Sequence, residues 1–130
     1  MNIRRVLEEL KKERKVFHSE DDFKFALAWK IKEVYANAKV RLEYSPEKIP
    51  NMHTDIMVFY NGSSYPIELK YKTSKLNVAI DDESYILKNH YAQDGGRYDY
   101  LRDIHRLEIL RDNFDNYRAG YAIIISNDQT

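Results

Sequence analysis

The chain has 130 residues, of which 43% are hydrophobic and 32% charged, and its 21 basic and 21 acidic side chains give a formal net charge of zero. This length and composition predict one globular domain over residues 1–130, and the balanced charge argues against a strongly basic protein that binds nucleic acid nonspecifically. The chain has no cysteine, which excludes disulfides and thiolate metal sites, and no segment approaches the roughly 20 apolar residues of a membrane-spanning helix, so we expect a cytoplasmic protein without membrane partners.

Two helices are predicted first along the chain. Residues 1–16 are expected to contain an amphipathic N-terminal helix, with apolar positions Ile3, Val6, Leu7 and Leu10 at helical spacing. A second helix is expected at about 19–36, with Ser19 as its N-cap. Its predicted buried stripe consists of Phe23, Leu27, Ile31 and Val34. Extended backwards, this stripe reaches Glu20, where favourable interaction with the helix dipole and a functional role are equally good explanations of an acid.

Three strands are predicted next, at about 39–44, 53–60 and 64–72, and the absence of a helix between them implies an antiparallel meander. Asn61 and Gly62 form the strongest short-range signal for a hairpin between the second and third strands. Because side chains alternate along a strand, Glu68, Lys70 and Lys72 are expected on one face of the third strand.

The remainder of the chain predicts a long loop, a helix and a strand. Residues 73–96 are interpreted as a loop, with a short strand or a helical turn as alternatives within it. A helix is expected from Arg97 to about Arg118, with an inner face of Leu101, Ile104, Leu107 and Phe114. The segment GYAIIIS predicts a central strand that is buried on both faces and parallel to a neighbour. Because the sequence stops soon after it, we expect either a fragment of a longer protein or a homodimer or larger complex.

The second and third strands carry the candidate site. Hairpin pairing returns Glu68 and Lys70 towards the level of Asp55. Two carboxylates on adjacent strands repel each other unless a cation lies between them, and oxygen ligands suit Mg²⁺ or Mn²⁺. A neighbouring lysine can neutralise charge that develops on a phosphate. The alternative is an exposed strand face with charged side chains, and Lys72 is expected to be solvated, with phosphate contact as the second interpretation.

The order helix, three-strand meander, helix, strand, with Asp55 on the second strand and Glu68-x-Lys70 on the third, resembles the PD-(D/E)xK nuclease superfamily over residues 19–126. The resemblance implies a restriction endonuclease-like αβββαβ core, in which a mixed central sheet is flanked by helices, with one extra N-terminal helix. It also implies that Asp55, Glu68 and the backbone carbonyl of Leu69 bind the metal, that Lys70 is the motif lysine, and that Glu20 is an additional acid for the metal or its water. Thr54 stands where many members have proline.

The same resemblance implies a Mg²⁺- or Mn²⁺-dependent endonuclease that hydrolyses phosphodiester bonds in nucleic acid, with DNA as the preferred expectation. The segment QDGGRYDYLRDIHRLE is similar to the second core helix of such proteins, which implies substrate contacts or a bracing role for Gln93, Arg97, Asp99, Asp103 and Arg106. The alternative function is a catalytically inactive nuclease-fold module that binds nucleic acid or a protein partner.

Overall fold

The computed structural model describes residues 1–49, 51–88, 96–114 and 116–127, with residues 96–100 described by their backbone alone. Three helices and six strands are assigned in these ranges. In chain order they are α1 (Ile3–Glu13), α2 (Glu20–Val34), β1 (Lys39–Tyr44), β2 (Thr54–Tyr60), β3 (Ser63–Lys72), β4 (Leu76–Ile80), β5 (Glu83–Leu87), α3 (Gly96–Asn113) and β6 (Tyr121–Ser126).

The main sheet has four strands in the order β1-β2-β3-β6. Strands β1, β2 and β3 are antiparallel neighbours, whereas β6 lies parallel to β3. The turn between β2 and β3 is Asn61-Gly62, and both residues have positive φ, 50° and 78°, as a two-residue type I′ hairpin turn requires. The predicted meander and the predicted parallel pairing are both confirmed, and the molecule is a mixed α/β protein with a mixed sheet.

Helices α1 and α2 cover one face of this sheet. Their buried side chains form a single cluster with alternate residues of β3, namely Ile67, Leu69 and Tyr71. The predicted stripe of α2 is confirmed, because Phe23, Leu27 and Ile31 are buried and Val34 packs against them. The predicted N-cap is also confirmed, since the Ser19 hydroxyl accepts a hydrogen bond from the Asp22 amide at 3.0 Å.

Helix α3 packs on the opposite face, where Glu68 and Lys70 lie. Leu107 and Leu110 form a second, smaller cluster with Met52, and Ala122 of β6 packs against it. Ala122 is the register partner of Glu68 in the parallel pair. The sheet therefore has helices on both faces, and the face that carries the candidate site residues is the one beneath α3.

The segment predicted as a long loop contains a hairpin. Strands β4 and β5 pair antiparallel as a separate two-stranded sheet, joined by Asp81 and Asp82 with φ of 51° and 65°. Aspartate tolerates the left-handed backbone region better than most residues, which allows a tight turn without glycine. The loop interpretation of this part of residues 73–96 is therefore wrong, whereas the alternative of a short strand within it is confirmed.

Two further expectations need correction. Helix α3 ends at Asn113 rather than near Arg118, and Leu101 on its predicted inner face is 58% exposed. Among the described side chains of α3, the buried ones are Asp103, Leu107 and Leu110. The buried face thus includes a charged residue, which a search for apolar positions could not find. Strand β6 was expected to be central, but among the described strands it is the outer neighbour of β3 and its residues are half-buried or exposed.

None of the helices within the described part of the chain is long and apolar enough to span a membrane.

Candidate metal and phosphodiester site

The site lies where β2 and β3 separate. Their paired register runs from Tyr60–Ser63 to Ile56–Ile67 and stops there. Beyond this point, the Leu69 amide donates to the Asp55 carboxylate at 2.7 Å, and the Tyr71 amide donates to the Glu20 carboxylate at 3.2 Å. Buried backbone amides must find a partner, and here two acidic side chains replace the strand that has diverged. The fork thus brings Asp55 from β2 and Glu20 from α2 to the same edge of β3.

Glu68 points from β3 to the face beneath α3 and is 1% exposed. Burial, followed by the charge of Asp55 and a hydrogen bond to it, raises the pKa of Glu68 from its ordinary value of 4.5 to about 9. At neutral pH without a metal ion, Glu68 therefore holds a proton. The alternative of an exposed charged strand face does not apply to Glu68.

One oxygen of Glu68 is unsatisfied. Oε1 is buried and has no hydrogen-bond partner among the described residues, as is also true of the Thr54 hydroxyl. Leaving a buried polar atom without a partner is costly, and in native proteins such atoms commonly contact a bound ion or a buried water molecule. This oxygen suits Mg²⁺ or Mn²⁺, because it is buried, is anionic when deprotonated, and lies next to a second carboxylate.

Helix α3 contributes two charged residues to this face. Asp103 is 3% exposed and forms an ion pair with Arg106, whose Nη1 lies 3.5 Å from Asp103 Oδ1. Both act on Glu68: the charge of Asp103 raises its pKa further, and that of Arg106 lowers it. Asp103 and Arg106 therefore lie near Glu68, and their bracing role stays a prediction.

Lys24 of α2 is the site residue that the sequence analysis missed. Its Nζ lies 3.6 Å from Asp55 Oδ1, donates to Asp21 at 3.4 Å, and donates also to Glu43. Burial would lower the pKa of Lys24, but the hydrogen bond to Glu43 and the charge of Asp55 outweigh it, and the pKa is raised. A signal was available, because Lys24 lies one helical turn after Glu20, the spacing at which helix side chains are neighbours.

The alternation of side chains along β3 places the other two candidates, Lys70 and Lys72, on the same face as Glu68. Lys70 is half-buried on the same face as Glu68, and Lys72 is half-buried two residues further along. In a strand, the amide and the carbonyl of one residue point to the same edge. Because the Leu69 amide reaches Asp55, the Leu69 carbonyl is directed to the same edge of β3, the side of the fork on which Asp55 lies.

The structure leaves three weaker candidates without a test. Gln93 lies outside the described residues, and Arg97 and Asp99 lie within the part of α3 that is described by its backbone alone. Glu20 is placed at the fork, although its carboxylate accepts the Tyr71 amide there. Within the described ranges, no three Asp, Glu or His side chains meet at a point that could hold a metal ion.

Comparison of the chain with protein-family models, with curated proteins and with solved structures finds no match.

Proposed function

We propose that this protein is a metal-dependent nuclease that hydrolyses phosphodiester bonds, with DNA as its substrate. The observation that carries the proposal is the pairing of Asp55 and Glu68, two adjacent carboxylates of which one has a buried oxygen without a partner in the described residues. Such a pair binds a proton when no cation is present and offers a divalent cation two anionic oxygens once the proton is lost.

The element order supports the same proposal. Taken from α2, the order is α2, β1, β2, β3, α3 and β6, with α1 as an extra helix before it and the β4–β5 hairpin inserted after β3. This is the order that the resemblance to PD-(D/E)xK nucleases implies, and we propose that these six elements form a restriction endonuclease-like core. Asp55 lies at the start of β2 and Glu68-x-Lys70 in the second half of β3, as the motif requires.

In the proposed mechanism, Asp55, Glu68 and the carbonyl of Leu69 would hold Mg²⁺ or Mn²⁺. When bound, the ion supplies positive charge to the scissile phosphate and lowers the pKa of a water molecule. Lys70, on the same face and less buried than Glu68, provides a fixed positive charge that stabilises the negative charge gained by the phosphate. The Leu69 amide holds Asp55 through one oxygen, so the carboxylate cannot rotate freely away from the site.

Glu20 has a narrower role in this scheme. Its carboxylate is held by the Tyr71 amide at the open end of the fork, two residues beyond Leu69. From this position, we propose that Glu20 accepts a hydrogen bond from the attacking water through its remaining lone pairs. The chemistry assigned to it is orientation of a water molecule rather than direct binding of the first metal ion.

The decisive experiment is a cleavage assay with purified protein on duplex, single-stranded and branched DNA and on RNA, in Mg²⁺, Mn²⁺ and chelator. We expect cleavage that requires the metal and that is lost in Asp55→Asn and in Lys70→Ala. Lys11→Ala is the matched control, because Lys11 is an exposed lysine of α1. Binding without cleavage, unchanged by Lys70→Ala, would favour the inactive nuclease-fold module instead.

A further inference from the structure

Lys24 places a buried positive charge against the candidate site. The residue is only 8% exposed, and its ammonium group is surrounded by the carboxylates of Asp21, Glu43 and Asp55. A buried ammonium group is tolerated only when such partners compensate for lost hydration. Asp55 thus has a cationic neighbour supplied by the protein itself, whether or not a metal ion is bound.

Strand β1 has an irregular backbone at Glu43, the residue whose carboxylate contacts Lys24. The register of β1 and β2 passes from Leu42–Ile56 to Tyr44–Thr54, and Glu43 between them has φ of 51°. A left-handed backbone is unfavourable for glutamate, because its Cβ crowds the chain. At this irregular position the Glu43 carboxylate meets Lys24, so the lysine is held from β1 as well as from Asp21 on its own helix.

We propose that Lys24 is a positioning residue that sets the divalent-cation affinity of the Asp55–Glu68 site, an inference that rests on the proposed function. Two cations that share one carboxylate repel each other, and this repulsion is only partly screened where water is scarce. Lys24 therefore weakens metal binding at Asp55. Glu43 limits this effect, because it draws the ammonium group away from Asp55, from which Nζ stays 3.6 Å distant.

The consequence for the reaction is that metal ion and substrate help each other to bind. A pair of carboxylates whose charge is partly balanced by Lys24 binds a free metal ion weakly. Lys24 balances part of the negative charge of the carboxylates, and the phosphate of a bound substrate restores negative charge to the site. Metal and substrate therefore bind cooperatively. Lys24 thus acts through Asp55 and does not itself contact the reacting atoms.

The test is calorimetric titration of Mn²⁺ into the wild-type chain and its variants without nucleic acid. In Lys24→Met, which keeps the length of the side chain and removes its charge, we expect roughly tenfold tighter binding. In Glu43→Gln we expect severalfold weaker binding, because the lysine is then free to approach Asp55. Lys24→Arg keeps the charge and should bind Mn²⁺ nearly as the wild type does.

The opposite signs make the result informative even if a variant is less stable. General damage to the site weakens binding in both variants, whereas the proposal requires Lys24→Met to bind more tightly. Weaker or unchanged binding in Lys24→Met would overturn it. Asp55→Asn is the control that assigns the bound ion to this site. If the wild type binds Mn²⁺ in a manner that depends on Asp55, only the role of Lys24 is at stake; if it binds none, the metal site of the proposed function fails as well.

Discussion

Replacement of Glu68 by glutamine should change the pH dependence of folding stability. The pKa of Glu68 is raised by burial and by Asp55 from 4.5 to about 9, so the folded protein holds a proton that the unfolded chain has already lost at neutral pH. Stability from this proton is fully present below about pH 4.5 and is lost as the pH rises towards 9. When the folded state binds one proton more than the unfolded state, the unfolding free energy falls by about 1.4 kcal/mol per pH unit. Between about pH 6 and about pH 8 the loss is about 3 kcal/mol.

Glutamine keeps the size of the side chain and a donor for Asp55, but it carries no titratable proton. Urea unfolding in the presence of a chelator, at several pH values, should therefore show that Glu68→Gln gains about 3 kcal/mol relative to the wild type between about pH 6 and about pH 8. Glu8→Gln, at an exposed position of α1, controls for the loss of one acid. Saturating Mn²⁺ should reduce the slope of the wild type, because the cation displaces the proton. A stability difference that stays constant over this pH range would refute the buried, protonated state of Glu68.

Three further changes probe how the site is held. Glu20→Ala should cost about 1–3 kcal/mol of unfolding free energy, because it leaves the Tyr71 amide without its acceptor. Glu20→Gln keeps an acceptor and should fold nearly normally. Loss of cleavage in Glu20→Gln would then separate catalysis from folding. Ser19→Ala should cost about 1 kcal/mol by thermal or urea unfolding, because it removes the cap of α2, and no loss would mean that the cap is dispensable. Gly62→Ala should cost about 1 kcal/mol or more of unfolding free energy, because Gly62 has φ of 78°, a backbone conformation unfavourable for alanine. An added Cβ would meet nothing within 4 Å, so the cost comes from the backbone alone. An unchanged unfolding midpoint would show that the turn relaxes.

The regular part of the fold was predictable because its signals are local. The helical spacing of Phe23, Leu27 and Ile31 fixes the buried face of α2, and Asn61-Gly62 fixes the register that sets Glu68 near Asp55. A short strand within residues 73–96 was an alternative, but its pairing into a hairpin was not predicted, because the turn uses Asp81 and Asp82 in place of glycine or asparagine.

The charged part of the site was less predictable, because its burial depends on contacts between distant elements. Asp103 has the appearance of a surface residue of α3 until the helix is packed above Glu68, and Lys24 lies beside an apolar stripe without belonging to it. A sequence pattern ranks such residues as solvated, since buried lysines and aspartates are uncommon. Only the tertiary structure shows that their partners, Arg106, Asp55 and Glu43, compensate for the hydration that burial removes.

The fork between β2 and β3 explains how residues of the proposed site also stabilise the fold. Where the strands part, the amides of Leu69 and Tyr71 need acceptors, and carboxylates satisfy them better than neutral groups do. Each acid placed there adds negative charge to a poorly hydrated region, which then requires a cation from the protein, from solvent or from a proton. Lys24 provides the cation from the protein, and Glu68 retains a proton. The unsatisfied oxygen of Glu68 is the atom that the proposed metal ion would contact. Backbone hydrogen bonding alone would disfavour this separation of the strands. Under the proposed function, it creates a position where a metal ion, a proton and an ammonium group would compete for the carboxylates of Asp55 and Glu68.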